Sequence, residues 1–392
     1  MISTRFEKMT HSASTIRGQY ELALKMKAEL GNDNVYDFSL GNPSVATPKE
    51  VELSLKKHSE ERHIHDYMAN AGSMDVRETI AENLNKRFGT HYQGKGVIMA
   101  VGAGGALNIT YAVLLNPGDE VIAPTPCWTE YKNYCANYQA VYRPISCDKV
   151  KFYPDYDELE ATLNEKTKIV CINSPNNPTG AVYDEQCIKT IASIMKKKEE
   201  EYGHPIYLVT DEPYRELVYD GKTAPFVSKY YDDTVVCYSY SKVLSLPGER
   251  IGYVAIQPEC ADYEVLLKAL PIVNRTYGYT NAPAIFQQVV KDCIDVTISV
   301  EEYDTNRKLL YNAVKELGFD AVYPDGAFYL WVKAPIDEKE FIQLCVKHNV
   351  ILVGGSPFGQ PGYIRIAYCV EKKVIENSLP AFRKIAHEVG LI

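Results

Sequence analysis

The chain has 392 residues, which is too many for one ordinary hydrophobic core, so we expect two domains. Its hydrophobic content of 46% and charged content of 24% are typical of a soluble globular protein. A net charge of −9 argues against a nucleic-acid backbone as a partner, so an anionic ligand must be bound by local positive groups.

Ten cysteines are scattered along the chain without a Cys-x-x-Cys pair. Several of them, such as Cys171 and Cys237, lie inside apolar runs, so we interpret them as reduced, buried side chains rather than disulfides. No metal site is predicted. Residues 1–20 are polar and charged, and no apolar run approaches membrane-spanning length. We therefore expect a cytoplasmic protein without a signal peptide or a membrane partner.

The N-terminal part predicts one helix and one strand ahead of a tight turn. Apolar residues recur at helical spacing over residues 16–30, and residues 31–34 end the helix. Residues 36–40 alternate like a strand and lead into the turn that contains Gly41. Tyr67 then opens a loop ahead of a helix that begins near Asp75.

Five short apolar segments have the character of buried strands, and each is followed by a glycine-rich or polar motif. The segments are residues 97–101, 121–123, 168–172, 206–210 and 235–238. The motifs that follow them contain Gly102 to Gly105, Trp128, Asn177, Asp211 with Tyr214, and Ser239 with Lys242, in that order. Parallel α/β sheets bind their ligands at the carboxyl ends of the strands, so we expect these motifs to form one site.

The glycine-rich turn and the lysine segment indicate what such a site binds. A strand, a glycine-rich turn and a helix predicted over residues 106–115 bring backbone N–H groups and a helix dipole to a phosphate. Burial lowers the pKa of a lysine such as Lys242, and a lowered pKa lets an amine condense with an aldehyde. Arg250, between two glycines, would suit a phosphate together with Ser239.

After about residue 263 the pattern changes to that of a smaller α+β layer. A helical stretch from residue 283 to about 315 would link the two domains, with Ser299 and Glu302 as a capping box inside it. Strands at residues 328–332 and 362–368 alternate with helices at residues 337–348 and 371–389. Arg365 lies inside an apolar strand, where an arginine must be paired or bind a ligand.

Two motifs carry a resemblance to a known family. Ser-x-x-Lys at residues 239–242, with Pro-Gly-x-Arg-x-Gly after it, and Asn-Pro-Thr-Gly at residues 177–180 resemble segments of the class I and II aminotransferases. These enzymes use pyridoxal 5′-phosphate (PLP). The resemblance implies the aspartate aminotransferase fold (fold type I), an α/β fold with a mostly parallel sheet flanked by helices. Its large PLP-binding domain would span residues 45–285, and residues 1–44 and 286–392 would form the small domain.

The resemblance also implies catalytic roles. Lys242 would join the PLP aldehyde as a Schiff base and, once released, move the proton at the substrate Cα as general base and acid. Asp211 would be an ionised carboxylate against the pyridine nitrogen, which keeps that nitrogen protonated. Tyr214 and Asn177 would form hydrogen bonds with the phenolic oxygen of the cofactor.

The remaining implied contacts bind the cofactor and the substrate. Ser239, Arg250 and the backbone amides near Ala103 and Gly104 would bind the phosphate, and Trp128 would stack on the pyridine ring. The substrate carboxylate would lie between the Arg365 guanidinium, Asn177 and the backbone at Gly41. Tyr67 would reach the phosphate of a neighbouring subunit, so a homodimer with active sites shared across its interface is implied.

The implied reaction transfers the amino group of an L-amino acid (aspartate, aromatic or alanine-like) to a 2-oxo acid such as 2-oxoglutarate. A PLP-dependent lyase or synthase of the C–S lyase type shares nearly all of these residues. A non-catalytic regulator usually carries a DNA-binding extension, for which we expect no room ahead of the first helix. Arg17 or Arg275 could contact a distal carboxylate, whereas tyrosines and the small Gly104-Gly105 surface could admit aromatic or aliphatic side chains.

Overall fold

A seven-stranded sheet lies at the centre of the protein. The structure is a computed structural model that describes Ile2, Ser3, Glu7 and residues 15–392. The strands of the described residues are β1 (Tyr36–Asp37), β2 (Val97–Ala100), β3 (Glu120–Pro124), β4 (Val141–Ile145), β5 (Thr167–Asn173), β6 (Tyr207–Asp211), β7 (Thr234–Ser239), β8 (Gly252–Ile256), β9 (Ala321–Val322), β10 (Tyr329–Lys333), β11 (Val350–Ile351), β12 (Val353–Gly354) and β13 (Tyr363–Ala367). The α-helices from residue 15 onward are α1 (Thr15–Leu30), α2 (Lys49–Ser59), α3 (Met74–Phe88), α4 (Gly102–Leu114), α5 (Glu130–Asn137), α6 (Tyr156–Thr162), α7 (Glu185–Tyr202), α8 (Tyr240–Val243), α9 (Tyr263–Thr276), α10 (Ala284–Asp292), α11 (Glu301–Glu316), α12 (Glu338–Lys347) and α13 (Lys372–Glu388).

The central sheet has the strand order β2-β8-β7-β6-β5-β3-β4. All neighbours run parallel except β8, which is antiparallel to both β2 and β7. The mostly parallel sheet predicted from the sequence is confirmed. The pattern does not predict β4, because this edge strand exposes most of its side chains and has no continuous apolar run.

Helices cover both faces of the sheet, and this explains why its inner strands are apolar throughout. Val121 packs in the cluster that contains Leu107 of α4, whereas its neighbour Ile122 packs with Ile188 and Ile191 of α7 on the other face. Because successive strand residues point to opposite faces, both helical layers are anchored by the same strands.

A second, four-stranded antiparallel sheet of order β12-β13-β10-β9 forms the smaller layer. Its core includes Leu330 and Ile366 from the strands and Leu310 and Phe382 from α11 and α13. β1 pairs in parallel with β11, so the N-terminal segment joins the C-terminal part of the chain. The smaller α+β layer predicted from the sequence is confirmed.

The single helical stretch predicted over residues 283–315 is wrong, because α10 ends at Asp292 and α11 begins at Glu301. Val289 of α10 packs in the cluster that contains Val51 and Val76, whereas Ile298 packs in the core of the smaller layer. The chain must change direction between these two cores. The domain limits at residues 45 and 285 stay a prediction, and the packing of α10 favours a boundary after it.

Three predicted helix features also differ in detail. Ser299 accepts a hydrogen bond from the N–H of Glu301 rather than Glu302, and the residue ahead of α11 is Val300, so the predicted capping box is wrong. The apolar pattern predicts a helix over about residues 184–197, and the structure extends this helix as α7 to Tyr202, because its charged last turns are exposed helix. α4 begins at Gly102 rather than near residue 106, so the glycine-rich turn is itself the first turn of the helix.

All ten cysteines are free, and nine of them are buried. Within residues 15–392 and the three described residues before them, no helix is both long enough and apolar enough to cross a membrane.

Candidate active site

Eleven of the twelve predicted site residues line one cavity, which encloses about 850 Å³ including its open mouth. They are Gly41, Ala103, Gly104, Trp128, Asn177, Asp211, Tyr214, Ser239, Lys242, Arg250 and Arg365. The cavity lies at the carboxyl ends of the parallel strands β5, β6 and β7, where the smaller layer covers them with Tyr329 and Arg365. The convergence expected at the strand ends is therefore present in the structure.

Lys242 lies in the one-turn helix α8 that follows β7. Its Nζ donates a hydrogen bond to the backbone oxygen of Gly41 at 2.7 Å. The pKa of Lys242 is lowered to about 8, mainly by burial and in part by the positive charges of Arg250 and Arg365, against the opposing effect of Cys369. At pH 7 roughly a tenth of such an amine is neutral, a few hundredfold more (about 200- to 300-fold) than for a free lysine. Lys242 is thus a nucleophilic amine that opens on the cavity.

Asp211 ends β6 and is 2% exposed. Its Oδ2 accepts a hydrogen bond from Tyr131 Oη at 2.7 Å, whereas its buried Oδ1 has no hydrogen-bond partner in the described part of the chain. Burial raises the pKa of Asp211 to about 7, and the Tyr131 hydrogen bond opposes this rise. The ionised state predicted for Asp211 therefore needs a positive charge beside it, and its free oxygen is available to a donor in the cavity.

Arg365 is a buried cation whose hydrogen bonds go only to neutral oxygens. Nη1 donates to Asn177 Oδ1 at 3.0 Å, Nη2 donates to the backbone oxygen of Ser39 at 2.5 Å, and Nε has no partner among the described residues. Arg365 forms no ion pair with any carboxylate that the structure describes, although it is 2% exposed. Because a buried charge is costly without a counter-charge, this geometry favours an anionic ligand.

The amide of Asn177 is oriented by its neighbours. Its backbone N–H donates to Asn173 Oδ1 at 2.8 Å, and Asn173 Nδ2 in turn donates to the backbone oxygen of Asp211 at 2.7 Å. Since the Asn177 Oδ1 already accepts from Arg365, its Nδ2 is the group left to donate into the cavity. This orientation agrees with the donor role predicted for Asn177.

The other end of the cavity has the features of an anion site. Ala103 and Gly104 lie in the first turn of α4, where backbone N–H groups are not used within the helix. Gly102 has φ +73°, and an added Cβ there would lie 2.6 Å from Arg250 Nη2. Ser239 Oγ donates to Ser241 Oγ at 2.7 Å, so two hydroxyls lie beside the Arg250 guanidinium.

Aromatic side chains complete the walls. Trp128 meets Tyr131 and Tyr134 edge to face, with ring centroids 6.2 and 6.4 Å apart. Tyr214 Oη forms a 2.8 Å hydrogen bond with Tyr329 Oη, and burial raises the pKa of Tyr214 well above its usual value. Trp128, Tyr214 and Tyr329 all line the cavity.

Three residues considered from the sequence lie away from this cavity. Tyr67 is 90% exposed on the surface. Arg17 is exposed on α1, where it pairs with Glu21 at 3.0 Å, and Arg275 is exposed near the end of α9. Neither arginine lines the cavity, so within this chain neither is placed to contact a distal carboxylate of the substrate.

Sequence reasoning missed several residues of the site. Two of them are tyrosines: Tyr131, the partner of Asp211, and Tyr329, the partner of Tyr214. The chain has thirty tyrosines, so the sequence pattern does not distinguish these two. Ile16 and Leu40 also line the cavity, and neither stands in a polar motif. Asn173 is the last residue of a buried strand, and its position at the strand end is the feature from which it could have been predicted as a site residue.

Comparisons with known proteins identify the family. A family model described as "Aminotransferase class I and II" matches residues 33–382. The chain belongs to the class I and II aminotransferases. An aspartate aminotransferase of Pyrococcus horikoshii is 31% identical over 381 residues, which cover 95% of this chain and 94% of the relative. An aromatic-amino-acid aminotransferase of Thermococcus litoralis is 27% identical, with 100% of both chains covered.

A solved structure gives the same result. The crystal structure of an aminotransferase from Eubacterium rectale superposes with a TM-score of 0.95 at 41% identity and covers 99% of each chain. This class I and II aminotransferase is a PLP-dependent transaminase, because the family uses that cofactor. Each of these relatives is named for amino-group transfer, and none of the three names favours the lyase considered from the sequence.

The residues of the cavity fit PLP. Asp211 offers an unpaired carboxylate oxygen to a protonated pyridine nitrogen, and Lys242 offers an amine of lowered pKa to the aldehyde. Gly102, in the first turn of α4, lies against Arg250. Because Gly102 has no side chain, the space beside Arg250 is left open for a phosphate. Each of the three polar parts of the cofactor thus has a matching group.

The raised pKa of Asp211 predicts a pH-dependent stability difference. In the cofactor-free protein, folding keeps a proton on Asp211 that the unfolded chain releases above pH 3.8, so the free energy of unfolding falls as pH rises toward about 7. Asp211→Asn removes this penalty, which amounts to roughly 4 kcal/mol for three pKa units. We expect the variant to gain stability over the wild type at pH 8 and much less at pH 5, by urea unfolding.

Asp157→Asn, an exposed substitution on α6, is the control and should shift stability equally at both pH values. An Asp211→Asn protein whose stability difference is the same at pH 5 and pH 8 would show that Asp211 is ionised without the cofactor.

Proposed function

We propose that this aminotransferase moves the amino group of an L-amino acid with an uncharged side chain to a 2-oxo acid such as 2-oxoglutarate. The observation that carries the proposal is Arg365, a buried guanidinium without a carboxylate partner among the described residues, on the same cavity as the Lys242 amine. A fork of N–H groups suits the carboxylate that amino acids and 2-oxo acids share. Asn177 and the backbone at Gly41 complete this end.

Lys242 is the proton carrier of the proposed reaction. PLP, when bound, supplies an electron sink for the negative charge that develops at the substrate Cα. Lys242 takes the proton from that carbon as its neutral amine, and its lowered pKa keeps part of it neutral near pH 7. Arg365 fixes the carboxylate and thereby the direction of the Cα–H bond, so that the proton faces the amine.

The other residues hold the cofactor. Asp211 would bind the pyridine nitrogen, Tyr214 and the Asn177 amide would donate to the phenolic oxygen, and Trp128 would stack on the ring. Ser239, Arg250 and the amides of Ala103 and Gly104 would bind the phosphate. These assignments are supported by the position of each side chain on one cavity.

The substrate side chain would meet apolar walls. Ile16 and Leu40 line the cavity, whereas Arg17 is paired with Glu21 on the exposed side of α1. An acidic substrate, such as the one for which the Pyrococcus horikoshii relative is named, would need a cation from a second subunit. The walls of this chain favour aromatic or aliphatic side chains.

We further propose a cytoplasmic homodimer that acts in amino acid biosynthesis. Tyr67 is a large side chain that is 90% exposed, beside a surface depression lined by Tyr279 and Ile285, which suits a contact with a second chain. The ten free cysteines suit a reducing compartment. Sedimentation should give twice the 44.1 kDa mass of one chain, and a monomer would contradict the shared site.

The role of Lys242 predicts the outcome of its removal. Lys242→Ala should abolish transamination and the visible absorbance that PLP acquires on a lysine amine, because no second amine lines the cavity among the described residues. Lys308→Ala, in an exposed ion pair on α11, is the control and should retain both. Turnover by Lys242→Ala at the wild-type rate would refute the assignment.

The role of Arg365 predicts a defect in substrate binding. Arg365→Lys keeps the charge but replaces a planar fork with a point charge, so KM should rise about 10- to 100-fold for every amino acid substrate. Arg383→Lys, at an exposed position on α13, is the control and should leave KM unchanged. An unchanged KM in Arg365→Lys, measured by steady-state kinetics, would make Arg365 a structural residue.

The substrate class is tested with a panel of twenty amino acids against 2-oxoglutarate and pyruvate. Uncharged donors should have the higher kcat/KM, and Ile16→Arg should shift the preference toward aspartate by adding a cation to the wall. Leu24→Arg, an exposed position on the same helix, is the matched control. A wild-type preference for aspartate over every uncharged donor would overturn the proposed class.

A further inference from the structure

Tyr329 lies between the two parts of the cavity that the proposed function uses for substrate and cofactor. It begins β10, is 2% exposed and lines the same cavity as Lys242. Its ring and its hydroxyl make separate contacts, which reach Arg365 and Tyr214 respectively. No role was assigned to Tyr329 from the sequence.

The ring of Tyr329 supports the Arg365 guanidinium. β10 and β13 are antiparallel neighbours, with Tyr329 opposite Ala367, so Arg365 two residues earlier projects from the same face. The Arg365 Cζ lies 4.6 Å from the centroid of the Tyr329 ring and 5.0 Å from that of Phe358. Two rings therefore hold the cation in a desolvated position, where a cation–π contact has its greatest effect.

The hydroxyl of Tyr329 determines which way the Tyr214 hydroxyl points. The two oxygens lie 2.8 Å apart, and each hydroxyl has one proton to donate. If Tyr214 donates its proton to the phenolic oxygen of the cofactor, Tyr329 must donate to Tyr214. A hydroxyl that accepts one hydrogen bond is a stronger donor of the next, so Tyr329 polarises the Tyr214 donor.

The position of Tyr329 is also set by the turn at Gly41. A Cβ added to Gly41 would overlap Tyr329 Oη and approach Cζ to 2.9 Å, so the ring packs directly on this backbone. The oxygen of the same residue accepts the hydrogen bond from Lys242 Nζ. Tyr329 thus contacts the segment that holds the amine as well as the two groups above.

We propose that Tyr329 is a positioning residue of this active site, whose hydroxyl orients and strengthens the Tyr214 donor and whose ring fixes the Arg365 guanidinium. The inference rests on the proposed function, because both effects act on groups assigned there. The two effects are separable by substitution, since Tyr329→Phe removes only the hydroxyl and Tyr329→Leu removes the ring as well.

Tyr329→Phe tests the hydroxyl by spectroscopy of the PLP-loaded protein. A weaker Tyr214 donor leaves more negative charge on the ligand oxygen, so the pH midpoint of the visible band should rise by about half a unit or more. The kcat should fall about 3- to 10-fold, and KM for the amino acid should stay within about twofold. In a Tyr214→Phe background the same substitution should change neither the pH midpoint nor kcat any further, since the shared hydrogen bond is already gone.

Tyr329→Leu tests the ring. It should reproduce the shift of the midpoint and, in addition, raise KM by about 3- to 30-fold through the lost support of Arg365. Tyr368→Phe removes another buried hydroxyl of the same core, bonded to the Ala327 oxygen at 3.3 Å, and should leave midpoint and KM unchanged. This control separates positioning from a general loss of packing.

An unchanged midpoint in Tyr329→Phe, or an equal rise of KM in Tyr329→Phe and Tyr329→Leu, would overturn the inference while the proposed function stands. A further shift of the midpoint by Tyr329→Phe in the Tyr214→Phe background would also overturn it. A wild-type protein that shows no visible band with PLP would overturn the proposed function and this inference together.

Discussion

Three ionisable groups are buried in one cavity with incomplete partners, and the site is built around them. Arg365 has only neutral acceptors, Asp211 has one phenol and an unpaired oxygen, and Lys242 has one backbone carbonyl. Each is costly to bury, and the protein by itself does not offset that cost. A ligand with a carboxylate, a protonated ring nitrogen and an aldehyde offsets all three, which is why the geometry suits an amino acid and PLP.

The fold brings these groups together from distant parts of the chain. Parallel strands end at one edge of the central sheet, so Asp211 of β6 and Lys242 after β7 become neighbours of the α4 N-terminus. Arg365 comes from the antiparallel sheet of the smaller layer, where its strand neighbour carries Tyr329. The proposed cofactor end of the cavity is therefore built by the large sheet, and the proposed substrate end by the contact between two layers.

The motifs at the strand ends could be predicted because they are local: an apolar run followed by a polar residue marks both the strand and its end. Contacts between distant residues could not be predicted in this way. Tyr131 lies 80 residues from Asp211 and Tyr329 lies 115 residues from Tyr214, and nothing in the pattern distinguishes them from the other tyrosines. The break between α10 and α11 was missed for a similar reason, since it depends on which of two cores each half contacts.

The central claim is that one buried amine carries the cofactor. Its most direct test is borohydride reduction of the PLP-loaded protein, followed by peptide mapping with mass spectrometry. We expect the pyridoxyl group on the peptide that contains Lys242, at about one per chain. A label on other lysines, or a protein that retains no label after reduction, would contradict the account.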